Sequence, residues 1–162
     1  MKTLTMKFGG TSVGSPEAIH SVVNIVTEEV ERGSRVVVVV SAMNGVTDAL
    51  IGSVREAAAG NRWGYLSCSQ KLRDRHAEAL HLLTAPGGDR DGVLAEVDRL
   101  LAQHVELCNA VNTLGEATPR ISDAVIAFGE RISSRVVAAA LRYQGIKAQA
   151  LDASSMIVTD EH

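Results

Sequence analysis

Aromatic side chains are scarce, at 3% of 162 residues. The core therefore has to be built from Val, Ala, Leu and Ile rather than from stacked rings. Cysteine is nearly absent: Cys68 and Cys108 stand alone, with no Cys-x-x-Cys pair and no metal-like cluster. That excludes a disulfide framework and a zinc site, and leaves two reduced thiols. Positive charge is not in excess, since 16 Lys and Arg stand against 19 Asp and Glu for a net charge of −3. A basic footprint for nucleic acid and a polybasic membrane patch are both missing. No apolar run is long enough to span a bilayer, and the start carries Lys7 and two glycines where a signal peptide needs its apolar stretch. The reading is of a soluble, cytoplasmic globular protein. With 46% hydrophobic and 22% charged residues it has material for one well-packed domain.

What is present is ordered as strand, helix, strand. "TLTMKF" (3–8) reads as a short strand. The following stretch has Ser15 as N-cap, Pro16 at the first helical position, Ile19, Val22, Val23 and Val26 at helical spacing, and Gly33 where a helix ends. "RVVVVV" (35–40) fits a strand buried on both faces, as a parallel sheet between helices requires. This βαβ unit sets the class as α/β. "SAMNGVTDALIGSV" then opens a second loop-to-helix passage. Leu72, His76, Leu80 and Leu83 mark one further helix, and Leu94, Val97, Leu101, Val105 and Leu107 or Cys108 another, with "APGGDRDG" (85–92) as the loop between them. This pair is expected to pack across one edge of the sheet. Ile121, Val125, Phe128, Ile132 and Val136 form one helical face through Gly129 and Glu130, so "FGER" lies within a helix or at a break in one. Gly145 closes that helix, and "IKAQAL" (146–151) reads as another strand.

In open parallel sheets, ligands bind beyond the carboxyl ends of the strands. "KFGGTSVGS" after the first strand and "SAMNGVTD" after the second both fall at that edge. Glycines there let backbone N–H groups turn toward an anion, and the helix starting at Ser15 adds its positive end. Lys7 adds a full charge. The stretch is neither a Walker A loop, whose lysine follows the glycines, nor a G-x-G-x-x-G fingerprint.

"KFGGTSV" (7–13), "VVVVVSAMNGVTD" (36–48) and "LGEATPRISDAVIAFGERISS" (114–134) resemble, in order and spacing, the N-terminal signatures of aspartate kinases in the amino-acid kinase superfamily. The resemblance covers essentially the whole chain. It implies a three-layer αβα sandwich around a mostly parallel sheet. It also implies transfer of the γ-phosphoryl of ATP, with Mg²⁺, to the side-chain carboxylate of L-aspartate. By the same resemblance Lys7 bridges the transferring phosphoryl group, and Phe8, Gly9, Gly10 and Ser12 belong to the phosphate-facing loop. Ser41 lies beside the reacting groups, Thr47 contacts the amino acid, and Glu130 binds its ammonium group. Arg120 and Asp123 match the pattern with structural roles.

These residue types suit the reaction. An aspartate carboxylate is already ionised at neutral pH, so no general base is needed. The difficulty is bringing one anion to another, which lysine, backbone amides and Mg²⁺ relieve. A glutamate gives the substrate ammonium a charge-assisted hydrogen bond. Plainer readings stand beside these: Glu130 as a solvated helix residue, Thr47 as the cap of the helix beginning "DALIGSV", Ser41 as a turn residue, and His76 as a helix-face histidine. Arg131 and Arg135 read as surface charges one turn apart.

The resemblance also implies that residues 1–162 are the N-terminal, amino-acid-substrate side of a kinase domain. The nucleotide-binding half and the regulatory ACT domains would lie beyond it. The expectation is a homo-oligomeric parent enzyme and an inactive isolated fragment. Two other enzyme readings remain, a glutamate or acetylglutamate kinase and a fusion to a dehydrogenase. A further reading is a non-catalytic, amino-acid-binding regulatory partner.

Overall fold

A computed structural model describes residues 2–157. Strand β1 (Thr3–Phe8), helix α1 (Pro16–Glu31) and strand β2 (Arg35–Val40) form the expected βαβ unit, with β1 and β2 parallel from Thr3 opposite Arg35 to Phe8 opposite Val40. The local chemistry is as read: the Ala18 N–H donates to Ser15 Oγ at 3.2 Å, Pro16 opens the helix, and Gly33 just beyond it has φ +84°. Only glycine adopts that conformation without strain, so the chain reverses there into β2.

One strand expectation is corrected. Met6, Phe8, Val36, Val38 and Val40 pack against the core, but Val37 and Val39 on the other face are 47% and 46% exposed. The valine run is buried on one face only, because among the described residues α1 and α6 cover a single side of β2. Lys7 stands on the open face, paired in register with Val39.

Helices α2 (Val46–Ala58), α3 (Arg62–Leu83), α4 (Gly88–Leu114), α5 (Pro119–Ile126) and α6 (Phe128–Tyr143) make up the rest. Leu50, Leu80, Val97, Leu100, Ile132 and Val136 are fully buried in one core that also takes in Ile19 and Val23 of α1. The α3–α4 pair packs on α2 and α6 rather than across a sheet edge. Its apolar stripes face other stripes, which hide more surface than a two-stranded edge could. The loop before α4 is shorter than 85–92, since the helix already begins at Gly88. Asp89 and Asp91 in its first turn complement the helix dipole and offset the poor helix propensity of Gly88 and Gly92.

Residues 146–151 form no strand. Ile146, Ala148 and Ala150 are half-buried while Lys147, Gln149 and Leu151 are exposed, an extended alternation without a ladder partner among the described residues. Period-two patterning reports an extended chain, and pairing has to come from another strand. The α/β class with a parallel sheet stands as expected, and no described helix is long and apolar enough to cross a membrane.

Candidate functional site

At the carboxyl end of β1 the chain turns on itself. The N–H groups of Ser12 and Val13 both donate to Gly9 O, at 2.9 and 3.2 Å, and fully buried Val13 anchors the turn. The amides of Gly9, Gly10 and Thr11 donate to no protein acceptor among the described residues. Buried or half-buried amides seek partners, so a run of free N–H groups at a strand end is a ready cradle for an anion. Lys7 leans over it: a Cβ built on Gly9 would lie 3.6 Å from Lys7 Nζ. Ser12, by contrast, has its amide tied to Gly9, so it contributes to the turn rather than to the run of free amides.

The second loop lies directly against the first. The Ser41 N–H donates to Phe8 O at 3.0 Å, continuing the parallel ladder past the end of the strands. A Cβ on Gly10 would come within 3.0 Å of Ala42 O, and one on Gly14 within 3.1 Å of the Asn44 Cβ. Both glycines are needed for this close approach, which answers why the sequence places them there.

The third signature joins through α6. Helix α5 is capped by Thr118, whose Oγ1 accepts from the Ile121 N–H at 3.3 Å, and a break at Ala127 separates it from α6. Gly129 and Glu130 therefore lie in the first turn of α6. A Cβ on Gly129 would sit 2.7 Å from the Ala42 Cβ and 3.3 Å from Val46 Cγ1, so this turn can touch the second loop only because Gly129 lacks one. The Ala42 N–H donates to Glu130 Oε1 at 3.4 Å, and no Lys or Arg pairs with Glu130 among the described residues. A half-buried carboxylate held by one weak backbone contact is equipped to take a cation from outside.

Lys7, Phe8, Gly9, Gly10, Ser12, Ser41 and Glu130 are thus linked along one edge of the sheet, and half-buried Thr47 lies in the first turn of α2 beside them. Thr47 does not cap α2. The helix starts at Val46 behind Gly45, whose φ of +77° makes the turn, and no side chain caps it. Arg120 and Asp123 are exposed and make no side-chain hydrogen bond among the described residues, so the structural role expected of them finds no contact here.

Several polar groups were missed or misread. Arg135 is buried rather than a surface charge. It donates to Asp152 Oδ1 at 3.1 Å and to Glu96 Oε2 at 2.8 Å, tying α6 to α4 and to the extended segment. Burial opposes ionisation of Asp152, yet the hydrogen bonds and charges of Arg135 and Arg131 outweigh it and hold the carboxyl below its usual range. Arg131 packs over the Phe128 ring at 5.1 Å. Arg75 on α3 donates from Nη2 to Gly14 O at 3.1 Å. Its place three residues after buried Leu72 and four before buried Ala79 borders the core stripe, which is the one signal that it points inward.

Deeper in, Ser53 Oγ lies 2.9 Å from His104 Nε2 and Cys108 Sγ lies 3.4 Å from the same atom. All three residues are buried. Burial holds His104 down to about 4 and pushes the Cys108 thiol up to about 11, so the histidine is neutral and the sulfur inert at neutral pH. His76 is also sealed in the core, its Nδ1–H donating to Leu72 O at 2.6 Å, and burial lowers it to about 4. It is the structural histidine expected. Both thiols are free.

A strand-end lysine over free backbone amides faces a second loop and a helix-borne glutamate, and residues 2–161 match the model of the amino acid kinase family. The chain belongs to that family. Within it, the chain is similar to aspartokinases. It is 33% identical over 153 residues to the chloroplastic bifunctional aspartokinase/homoserine dehydrogenase 1 of Arabidopsis thaliana, covering 94% of this chain and 16% of that protein. It is 32% identical over 163 residues to the aspartokinase of Schizosaccharomyces pombe, covering 95% of this chain and 30% of that one. Among solved structures, E. coli aspartokinase III in complex with aspartate and ADP (R-state) superposes with a TM-score of 0.73 at 26% identity, over 92% of this chain and 30% of that chain. The chain thus spans between 16% and 30% of the length of these proteins.

Proposed function

We propose that this chain forms the amino-acid side, and part of the phosphate side, of an aspartate kinase site. That site passes the γ-phosphoryl of ATP to the side-chain carboxylate of L-aspartate and yields 4-phospho-L-aspartate. The observation that carries the reading is the run of free amides from Gly9 to Thr11 beneath the Lys7 ammonium. These donors fit phosphate oxygens, whose charge they share without reorganising during transfer. Magnesium would enter as Mg²⁺-ATP, sharing the charge of the nucleotide's phosphates with these donors.

Each residue then has one task. Lys7 neutralises charge on the transferring group. The Gly9–Thr11 amides orient it, and Glu130 receives the substrate ammonium while the Ala42 N–H steadies its carboxylate. Ser41 and Thr47 line the loop between these two ends. The reading extends to a cytoplasmic homo-oligomer that supplies lysine, threonine and methionine biosynthesis, and to turnover that needs the further length present in the relatives. The exposed Val37 and Val39 beside Lys7 support that last point, since an apolar sheet face next to a reaction centre calls for a cover.

The test is release of ADP from Mg²⁺-ATP with and without L-aspartate, by the purified chain alone and with the remaining kinase segment supplied. Aspartate-dependent release is expected only in the second case, falling about 10²- to 10³-fold in Lys7→Ala. Release driven by glutamate or N-acetylglutamate instead selects another kinase of the family. Aspartate binding without any turnover selects a regulatory partner.

A further inference from the structure

The two ligand-edge loops are held not only by each other but by a cation on a distant helix. Arg75 of α3 donates to the Gly14 carbonyl, which closes the first loop, and its Nη1 would lie 3.9 Å from a Cβ on Gly45, the residue just before α2. One guanidinium thus bonds to the end of the first loop and lies beside the end of the second. Its helix is fixed behind it by buried Leu72, His76 and Ala79, so the cation is delivered from a rigid support. No carboxylate pairs with Arg75 among the described residues, in contrast to Arg73 two positions earlier, which donates to Asp98 Oδ1 at 2.7 Å. An arginine half-buried without a counter-ion is costly unless its charge serves a neighbour. The neighbours here are loops whose free amides await an anion.

We propose that Arg75 is a positioning residue of the phosphoryl site. It keeps the Gly9–Gly14 loop in register with the Asn44–Gly45 loop, so that the free amides and Lys7 converge on one point. The proposal rests on reading that edge as a phosphate site. A planar guanidinium can donate to a carbonyl from one nitrogen while another lies beside a second loop, which a lysine ammonium does less well.

The test compares the full chain with Arg75→Met, Arg75→Lys, the control Arg73→Met, and Lys7→Ala alone and combined with Arg75→Met. Tripolyphosphate affinity is measured by calorimetry, amide exchange of residues 9–14 by NMR, and melting for every variant. Arg75→Met is expected to weaken tripolyphosphate about tenfold, the scale of one charge-assisted hydrogen bond. It is also expected to speed exchange in the loop, with Arg75→Lys recovering part of both losses and Arg73→Met unchanged. Lys7→Ala should then cost less affinity in the Arg75→Met background than alone, because two residues acting on one point are not additive. Wild-type affinity and wild-type exchange in Arg75→Met overturn the proposal, as does a lower melting point with full additivity. If the wild-type chain binds no tripolyphosphate, the phosphate reading falls and the proposal with it. That outcome is distinct from the failure of Arg75 alone, where wild type binds and Lys7→Ala does not.

Discussion

The helical block and the ligand edge of this molecule use opposite materials. The block holds the side chains usually associated with chemistry: Ser53, His104 and Cys108 in mutual contact, and His76 elsewhere, on α3, all buried. The edge holds mainly glycine, one lysine and one glutamate. Yet the block is closed, with His76 and His104 neutral and the Cys108 thiol protonated at neutral pH, whereas the edge offers unpaired amides among the described residues and an exposed ammonium. Reactive side-chain types mark a site only where solvent and substrate can reach them. Phosphoryl transfer in particular draws on backbone donors that composition does not reveal.

The largest effect that separates the two regions is acid sensitivity of the block. His76 and His104 are held at about 4 in the fold, against an ordinary value of 6.5. The unfolded chain therefore binds more protons than the folded one between those values, and stability falls as pH drops from about 6.5 toward 4. A shift of this size corresponds to roughly 3 kcal/mol for each histidine over the whole window, with full stability retained at neutral pH. Urea unfolding at pH 7 and pH 5 checks this. An unchanged midpoint would mean that the two rings are solvated, and the contrast between closed block and open edge would collapse.

The junction between the regions is Gly129, where α6 meets the second loop. Gly129→Ala places a methyl group 2.7 Å from the Ala42 Cβ, a contact that neither backbone can avoid without moving. Overpacking costs about 1–3 kcal/mol, and the better helix propensity of alanine returns up to about 1. A net loss of about 1–2 kcal/mol is expected, measurable by thermal or urea unfolding. Because Ala42 also holds Glu130, substrate affinity should fall with it, whereas an overpacked site within the block would lower stability alone.

Much of the edge was legible in the sequence because its determinants are local. Ser15, Pro16 and Gly33 bound α1 by their own backbone preferences, and Lys7 is the penultimate residue of a strand whose end Gly9 and Gly10 continue. What could not be read depends on partners far along the chain. The valines of β2 look the same whether one face or two are covered, and the cover over Val36 and Val38 comes from α1 and α6. Residues 146–151 carry strand alternation but lack a pairing neighbour among the described residues. Arg135 and Arg75 sit at helix positions that suit solvent equally well. Their roles are set by Glu96, Asp152 and Gly14, at separations of 39, 17 and 61 residues.

The smallest expected effect probes whether the edge loop and the helix after it are separable. Ser15 closes the Gly9–Gly14 loop on one side and caps α1 on the other, its Oγ accepting from the Ala18 N–H. Ser15→Ala leaves that amide without its acceptor and is expected to lower stability by about 1 kcal/mol, the usual value of an N-cap. The free amides at Gly9 to Thr11 lie upstream of the cap, and the loop is pinned independently by buried Val13 and by Arg75 at Gly14. Tripolyphosphate affinity should therefore stay within about twofold of wild type while the urea midpoint shifts. A large loss of affinity with that small loss of stability would show that the first turn of α1 is itself part of the anion cradle. The boundary of the site would then move from Gly14 into the helix.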